Sequence, residues 1–213
     1  LLGYTIPAWV YLVDGLLVDT GPYSLRKELI PFYRDRMIDQ VAITHVHEDH
    51  CGLAAYLQKE KQVPVYVPQA SVNEAGNRGK IPLYRRLIWS KRPAFSPSKM
   101  PDYLESEKFT FRVLPSPGHC NEHVSFLEEQ RGWLFTGDVY VRKDPVVAFK
   151  DESMNVMIDT LQYLLEFDFQ TVFCAHAGIL EQGREALSAK LDFLLEKRDM
   201  VKTMRERGKP DKE

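Results

Sequence analysis

Thr44-His45-Val46-His47-Glu48-Asp49-His50-Cys51-Gly52 sets three imidazoles and the carboxylate of Asp49 within six residues, directly after the apolar run Val41 to Thr44. A lone histidine is usually a surface residue or a satisfied core one, but three of the chain's six histidines at this spacing make a metal-binding pattern. Neutral imidazole nitrogen is a common ligand for divalent cations, and carboxylate oxygen complements it for a borderline ion such as zinc. In a strand-like run His45 and His47 share a face, which leaves Asp49 and His50 for the turn beyond. One loop can then feed two adjacent ions.

Further along the chain, metal-type residues recur where strands should end. His119 follows Ser116-Pro117-Gly118, Asp138 follows Thr136-Gly137, and His176 follows the apolar run Thr171 to Cys174 and precedes Ala177-Gly178. Such turns expose the next side chain, and loops mounted on a rigid sheet are where a site converges. His123 lies four residues after His119, so spacing alone admits either as a ligand. The Pro-Gly turn favours His119 and leaves His123 a supporting or structural role.

The rest of the chain reads as strands alternating with helices. Trp9 to Val13 and Leu16 to Val18 are apolar runs joined by Asp14-Gly15, a dipeptide suited to a tight hairpin. Val63 to Val67, Phe109 to Leu114, Val124 to Leu127 and Trp133 to Thr136 are further short strand candidates bounded by polar, Pro or Gly residues. Between Ser153 and Phe167, Met154, Met157, Ile158, Leu161, Leu164 and Leu165 recur three and four apart, which predicts a helix with one apolar face. Leu187, Leu191 and Leu194 predict a second helix from about Glu181 to Arg207, followed by a charged tail over Gly208 to Glu213. The pattern is α/β, and 213 residues fit a single domain. Asn73 to Tyr103 carries Pro82, Pro93, Pro97 and Pro101, which makes it poor material for a central strand. It reads as an inserted helical flap.

No apolar run approaches the length of a membrane span. Cys51, Cys120 and Cys174 are odd in number and widely spaced, so reduced thiols and a cytoplasmic location are the expectation. The chain opens at Leu1 rather than Met, which leaves a preceding segment open. A net charge of −2 argues against general nucleic-acid binding. The distribution is uneven, however: Arg78, Lys80, Arg85, Arg86, Lys91, Arg92 and Lys99 fall between Ala75 and Pro101 with no acidic residue among them. A solvated helix face is the ordinary reading of such a run. The functional reading is an electropositive wall for an anionic substrate, with Arg78, Arg85 and Arg86 as contacts.

Taken in order, these residues resemble the metallo-β-lactamase superfamily, whose pattern H-x-H-x-D-H, then H, then D, then H is matched from His45 to His176. The resemblance implies a four-layer αββα sandwich carrying two divalent ions at one edge, zinc foremost, with iron or manganese also compatible with such ligands. It assigns His45, His47 and His119 to one ion, Asp49, His50 and His176 to the other, and Asp138 to the bridge. Asp19, in Val18-Asp19-Thr20-Gly21, then matches the acid that accepts a hydrogen bond from a ligating histidine and fixes its tautomer. An ordinary turn cap is its other reading. Two such ions lower the pKa of a shared water from ~15.7 towards ~7, so hydroxide is the expected nucleophile, with Asp49 orienting it or taking a proton.

Two departures narrow the expected chemistry. His47 stands where the flavin-dependent di-iron members carry Glu, and Asp138 stands where one subclass of zinc β-lactamases carries Cys. Neither a redox role nor antibiotic hydrolysis is therefore expected. Leu134-Phe135-Thr136-Gly137-Asp138 is similar to the glyoxalase II branch, which implies a small-molecule thioester, ester or lactone as substrate, with Tyr140 as a candidate oxyanion donor. The alternative is a phosphodiesterase or small ribonuclease that holds phosphates on the basic flap and takes nucleic acid as its partner. The segment from Arg184 to Gly208 resembles the start of a small C-terminal domain that some members add. Nothing in the sequence sets the oligomeric state.

Overall fold

Two mixed sheets stand at the centre of the computed structural model, which describes residues 6–79, 81–145, 149 and 152–207. Lys80 of the basic run and the tail Gly208 to Glu213 lie outside the described residues. The first sheet is β1 (Tyr11–Val13), β2 (Leu16–Val18), β3 (Gln40–Ala42), β4 (Val65–Val67) and β5 (Ser98–Lys99) in that order, an antiparallel hairpin followed by parallel neighbours. The second holds β6 (Tyr103–Glu105), β7 (Thr110–Pro115), β8 (Val124–Glu128), β9 (Trp133–Gly137), β10 (Thr171–Cys174) and β11 (Gly178–Leu180), with β9 beside β10 its one parallel pair. In the opening hairpin Val13 pairs with Leu16, leaving Asp14 and Gly15 at φ 48° and 83°. Two successive positive φ values are what a two-residue primed turn requires, and Asp-Gly tolerates them.

Successive residues of a strand point to opposite faces, and here each face has its own apolar partner. Leu16, Val18, Ala42, Phe126 and Phe135 meet between the sheets, joined by Phe111 and Leu104. Leu17, Val41, Val65 and Val67 point the other way, onto Tyr33 of α1 (Arg26–Arg34) and Ala54 and Leu57 of α3 (Ala54–Lys61). Leu127, Leu134 and Val172 likewise face Ile158 and Leu161 of α6 (Met154–Leu164) and Leu187 and Leu194 of α7 (Gly183–Glu206). The result is an αββα sandwich. Because both faces are buried, the strands read as apolar runs without alternating polarity.

The structure departs from the sequence reading at several edges. β3 stops at Ala42 rather than Thr44, and β5, β6 and β11 were not anticipated. These are edge elements of two or three residues or their neighbours, too short to show a period. Asn73 to Tyr103 is correspondingly more than a helical flap. It holds most of α4 (Val72–Ala75) and all of α5 (Leu83–Trp89), and then supplies β5, whose flanking Pro97 and Pro101 an edge position tolerates. None of Cys51, Cys120 and Cys174 is paired, and no described helix is long and apolar enough to cross a membrane.

One buried polar contact ties the helical layer to the loop after β9. Lys190 of α7 donates from Nζ to the carbonyls of Val139 at 2.6 Å and Tyr140 at 2.7 Å, and burial pulls its pKa down to about 8. Lys190→Met keeps the stem but strands two buried carbonyls, and is expected to lower the unfolding free energy by about 2 kcal/mol. Chemical denaturation of both proteins measures it; an unchanged midpoint would show that the contact contributes nothing.

Candidate metal centre

Strand order brings the chemistry to one end of the sandwich. Parallel pairing of β2 with β3 aligns Val18 with Ala42, so the residues just beyond, Asp19 and Thr44, are neighbours. Parallel pairing of β9 with β10 sets Gly137 against Cys174 and puts Asp138 beside His176. A hydrogen bond from Val124 N to Thr44 O at 3.0 Å ties the two sheets together at this end. His45 and His47 lie in the loop leaving β3, and α2 (Glu48–Cys51) starts at once, with His47 as its N-cap residue. Asp49 and His50 therefore sit on a helical turn, not in the open turn that strand alternation suggested. The loop has no strand geometry to propagate.

Two glycines hold the loops in place. At Gly137, with φ 47°, an added Cβ would lie 2.6 Å from His123 Nε2 and 2.8 Å from Thr44 Oγ1. At Gly118, with φ 135°, it would lie 2.8 Å from Met157 Cα. Only glycine gives both the positive φ and the close approach, which is why His119 and Asp138 each follow one.

Ligand-type atoms gather in two groups that meet at Asp138. His45 Nε2 is 2.9 Å from His47 Nδ1, which is 3.1 Å from His119 Nε2. A tetrahedral zinc site, with Zn–N bonds of ~2.0–2.1 Å, separates its ligand atoms by roughly 3.3 Å, so the three nitrogens are spaced to share one ion. Asp49 Oδ2 is 3.4 Å from His176 Nε2 and 3.8 Å from His50 Nε2. Asp138 Oδ2 faces the first group, 3.3 Å from His119 Nε2, while its Oδ1 lies 3.3 Å from both His50 Nε2 and His176 Nε2. His45, His50 and Asp138 also approach closely enough to form a further overlapping triad. His50 Nε2 and Asp138 Oδ1 are buried without a hydrogen-bond partner. Orphaned buried polar atoms are costly, and a cation between them removes the cost, so these residues fit the metals that the sequence pattern implies.

Outer contacts aim the rings. Asp19 accepts from Thr44 N at 2.8 Å and from His50 Nδ1 at 2.7 Å, turning His50 Nε2 to the centre. Glu152 lies 2.9 Å from His119 Nδ1, and the carbonyl of Pro7 accepts from His176 Nδ1 at 2.6 Å. His123 resolves the ambiguity left by spacing: its Nε2 accepts from Asp138 N at 3.1 Å and its Nδ1 is 2.8 Å from Ser116 Oγ. Both nitrogens are engaged away from the cluster, so His123 positions the Asp138 backbone. Asp19→Ala is expected to weaken metal binding by about 10–100-fold while leaving the protein folded, as read by titration against a competing chelator. Unchanged affinity would reduce Asp19 to a turn cap.

Electrostatics divide the cluster in two. Burial, with added repulsion from neighbouring imidazoles, holds His45 well below the ordinary histidine pKa. Burial and the Arg85 guanidinium take His47 down to about 3. Burial acts in the same direction on His50 and His176, but the carboxylates win: Asp138, Asp19 and Asp49 hold His50 well above the ordinary value, and Asp138 and Asp49 lift His176 to about 11. Burial opposes ionisation of Asp138 and Asp49, yet the adjacent imidazoles keep both carboxyls below the usual range. Without metal, protons on His50 and His176 supply the positive charge that the two carboxylates demand.

The family model of the metallo-beta-lactamase superfamily matches residues 3–176. The chain belongs to this superfamily. Among curated relatives it is similar to a hydroxyacylglutathione hydrolase of Bdellovibrio bacteriovorus, 32% identical over 74% of this chain and 55% of the relative. It also resembles one of Aliivibrio fischeri, 30% identical over 91% of this chain and 70% of the relative. An atrochrysone carboxyl ACP thioesterase of Pseudocercospora fijiensis is 24% identical over 88% of this chain and 51% of the relative. The chain thus spans about half to two thirds of the length of these proteins. Among solved structures, a metallo-beta-lactamase from Pontibacter korlensis superposes with a TM-score of 0.70 at 19% identity, over 92% of this chain and 90% of that one. A second, solved in a di-iron-bound form, gives 0.67 at 21% identity over 86% and 97%. At these identities the superpositions speak for the superfamily fold alone.

Within that fold the remaining anticipated residues take different places. Arg85 does not stand free for a ligand: its Nη2 is 2.5 Å from Glu48 Oε2, beside His47. Arg78 and Arg86 instead line a separate cleft of about 320 Å³. Tyr140 packs against the apolar layer under α6 and α7, where burial raises its phenol pKa, and no described contact joins it to the cluster. Glu152, Pro7 and Trp89, whose ring stacks 6.4 Å from that of His176, had no signal in the sequence. Each reaches the site from an element remote in the chain.

Proposed function

We propose that the chain is a metal-dependent hydrolase of thioesters, with esters and lactones as chemically adjacent substrates, acting at a dinuclear His/Asp centre. The observation that carries this reading is Asp138, whose two oxygens face two different sets of imidazoles while one of them is buried without a hydrogen bond. Two divalent ions, zinc foremost, would supply polarisation of the acyl carbonyl and acidification of a water. His45, His47 and His119 would hold the first and Asp49, His50 and His176 the second, with Asp138 facing both. A His- and Asp-rich donor set is compatible with iron or manganese as well as zinc.

The chain's own groups complete the chemistry. Asp49, beside His50 and His176, is placed to orient the attacking water or to take a proton from it. Cys51 and Cys120 do not compete as nucleophiles: burial pushes Cys51 well above the ordinary thiol value and Cys120 up to about 12. A departing thiolate has a conjugate-acid pKa of ~8.5, so it leaves with little help from an acid. That suits a site whose side chains are committed to ligation. Names of the relatives, hydroxyacylglutathione hydrolase and ACP thioesterase, point to thioesters as well. The phosphodiesterase alternative loses one of its three arginines, since Arg85 is held by Glu48. With three free thiols, we place the protein in the reducing cytoplasm.

Elemental analysis followed by a hydrolase screen tests the proposal. Two ions per chain are expected, with glutathione thioesters cleaved faster than lactones, and β-lactams and phosphodiesters left intact. A metal-loaded protein that cleaves no thioester, ester or lactone would overturn it.

A further inference from the structure

The 320 Å³ cleft beside α5 is lined by Arg78, Arg86, Lys91 and Arg92, with Ile81 and Pro93 as its apolar members. Arg92 is its buried element: the side chain is 1% exposed, donates from Nη2 to the carbonyl of Glu74 at 3.1 Å, and lies 3.4 Å from the Glu74 carboxylate. That carboxylate is 59% exposed, and Arg92 Nη1 is buried with no hydrogen-bond partner. Gly79 makes room for the guanidinium, since a Cβ there would lie 2.6 Å from Nη2 and 2.9 Å from Nε. From residue 75 to 101 the chain has no acidic residue. A buried guanidinium whose carboxylate partner is mostly in solvent and whose Nη1 is unpaired is expensive, and a planar fork of donors is suited to an oxyanion. The cleft is also of the size of small-ligand pockets.

We propose that this cleft binds a phosphoryl anion, held by Arg92 from below and by Arg86, Lys91 and Arg78 from its walls. Its position suggests whose anion. Arg85 of α5 abuts Glu48 and His47 at the metal centre, Trp89 of the same helix stacks on His176, and Arg86, the next residue round, turns to the cleft. A helix with its side chains is about 10 Å across, so an elongated substrate that reaches over α5 can place its acyl bond at the metals and a terminal phosphate in the cleft. A free phosphate taken up as an effector has the same chemistry. The substrate-borne case rests on the thioester reading above; the binding site itself does not.

The test uses the metal-loaded protein. Crystals soaked in tungstate, a phosphate-shaped oxyanion, are expected to show an anomalous peak against Arg92 and Arg86, lost in Arg86→Glu/Lys91→Glu and kept in the charge-matched surface control Lys59→Glu/Lys202→Glu. A peak at the metals alone, or a cleft peak that survives the double reversal, overturns the site. In kinetics, the ratio of kcat/KM for a thioester with a terminal phosphate to that for its uncharged analogue is expected to fall tenfold or more in the double variant. An unchanged ratio with the tungstate peak present assigns the cleft to free phosphate. If neither thioester is cleaved by the unaltered protein, the thioester reading fails while the cleft stands on the tungstate result.

Discussion

Asp138→Asn is expected to cost at least about 10³-fold in kcat/KM, or ~4 kcal/mol of transition-state stabilisation, and to lower the metal content of the purified protein. The carboxylate faces His119 through Oδ2 and both His50 and His176 through Oδ1, each at 3.3 Å. An amide of the same shape offers one acceptor in place of two and carries no charge, so it cannot bridge two cations. Its NH₂ group would also point donors at one set of metal positions. The fold should tolerate the change, because the residue is fixed by its backbone: Asp138 N donates to His123 Nε2 and Gly137 supplies the turn. Circular dichroism of the metal-free forms should therefore match, with some loss of melting temperature because His50 and His176 lose a carboxylate partner, while elemental analysis and thioester turnover diverge. A variant with full metal content and near-normal rates would remove Asp138 from the bridge and leave two independent sites.

How much of this was visible beforehand follows from the range of each interaction. His45, His47, Asp49 and His50 could be read because their spacing is local and their side chains have few other reasons to cluster. His119 and Asp138 could be read because each follows a turn that a short motif encodes, and His176 because it comes just after a strand and before Ala177-Gly178. The fold class followed from strands that are largely apolar on both faces, a property that hid their ends, whereas β5 is two polar residues with no period to read. What failed to show was contact across long stretches of chain. Glu152 reaches His119 from 33 positions away, Pro7 meets His176 across 169, and Glu48 captures Arg85 from a different element. The basic run shows the difference well: its excess charge is plain in the sequence, but only the fold separates Arg85, engaged beside His47, from Arg86 and Arg92 around the cleft.

The unequal protonation of the two halves of the site leads to the second large effect, on metal loading as a function of pH. A ligating imidazole must be neutral. Burial already keeps His45 and His47 neutral, the latter down to about pH 3, so the first ion displaces no proton from either. His50 and His176, whose pKa values are raised by Asp138 and Asp49, carry protons at neutral pH, and the second ion must expel both. The sign follows: protons compete for the second position below the raised pKa values, and its apparent affinity falls by up to ~100-fold for each unit the pH drops, while the first position changes far less. Calorimetric titration of the metal-free protein with zinc, repeated in buffers of different ionisation enthalpy near pH 7, should show close to two protons released with the second equivalent and few with the first. Chelator challenge at decreasing pH should strip one ion well before the other, and activity should disappear with that first loss if hydrolysis needs both. Equal proton release for the two equivalents would mean that the carboxylates do not hold those histidines charged, and the asymmetry derived from Asp49, Asp138 and Asp19 would be wrong.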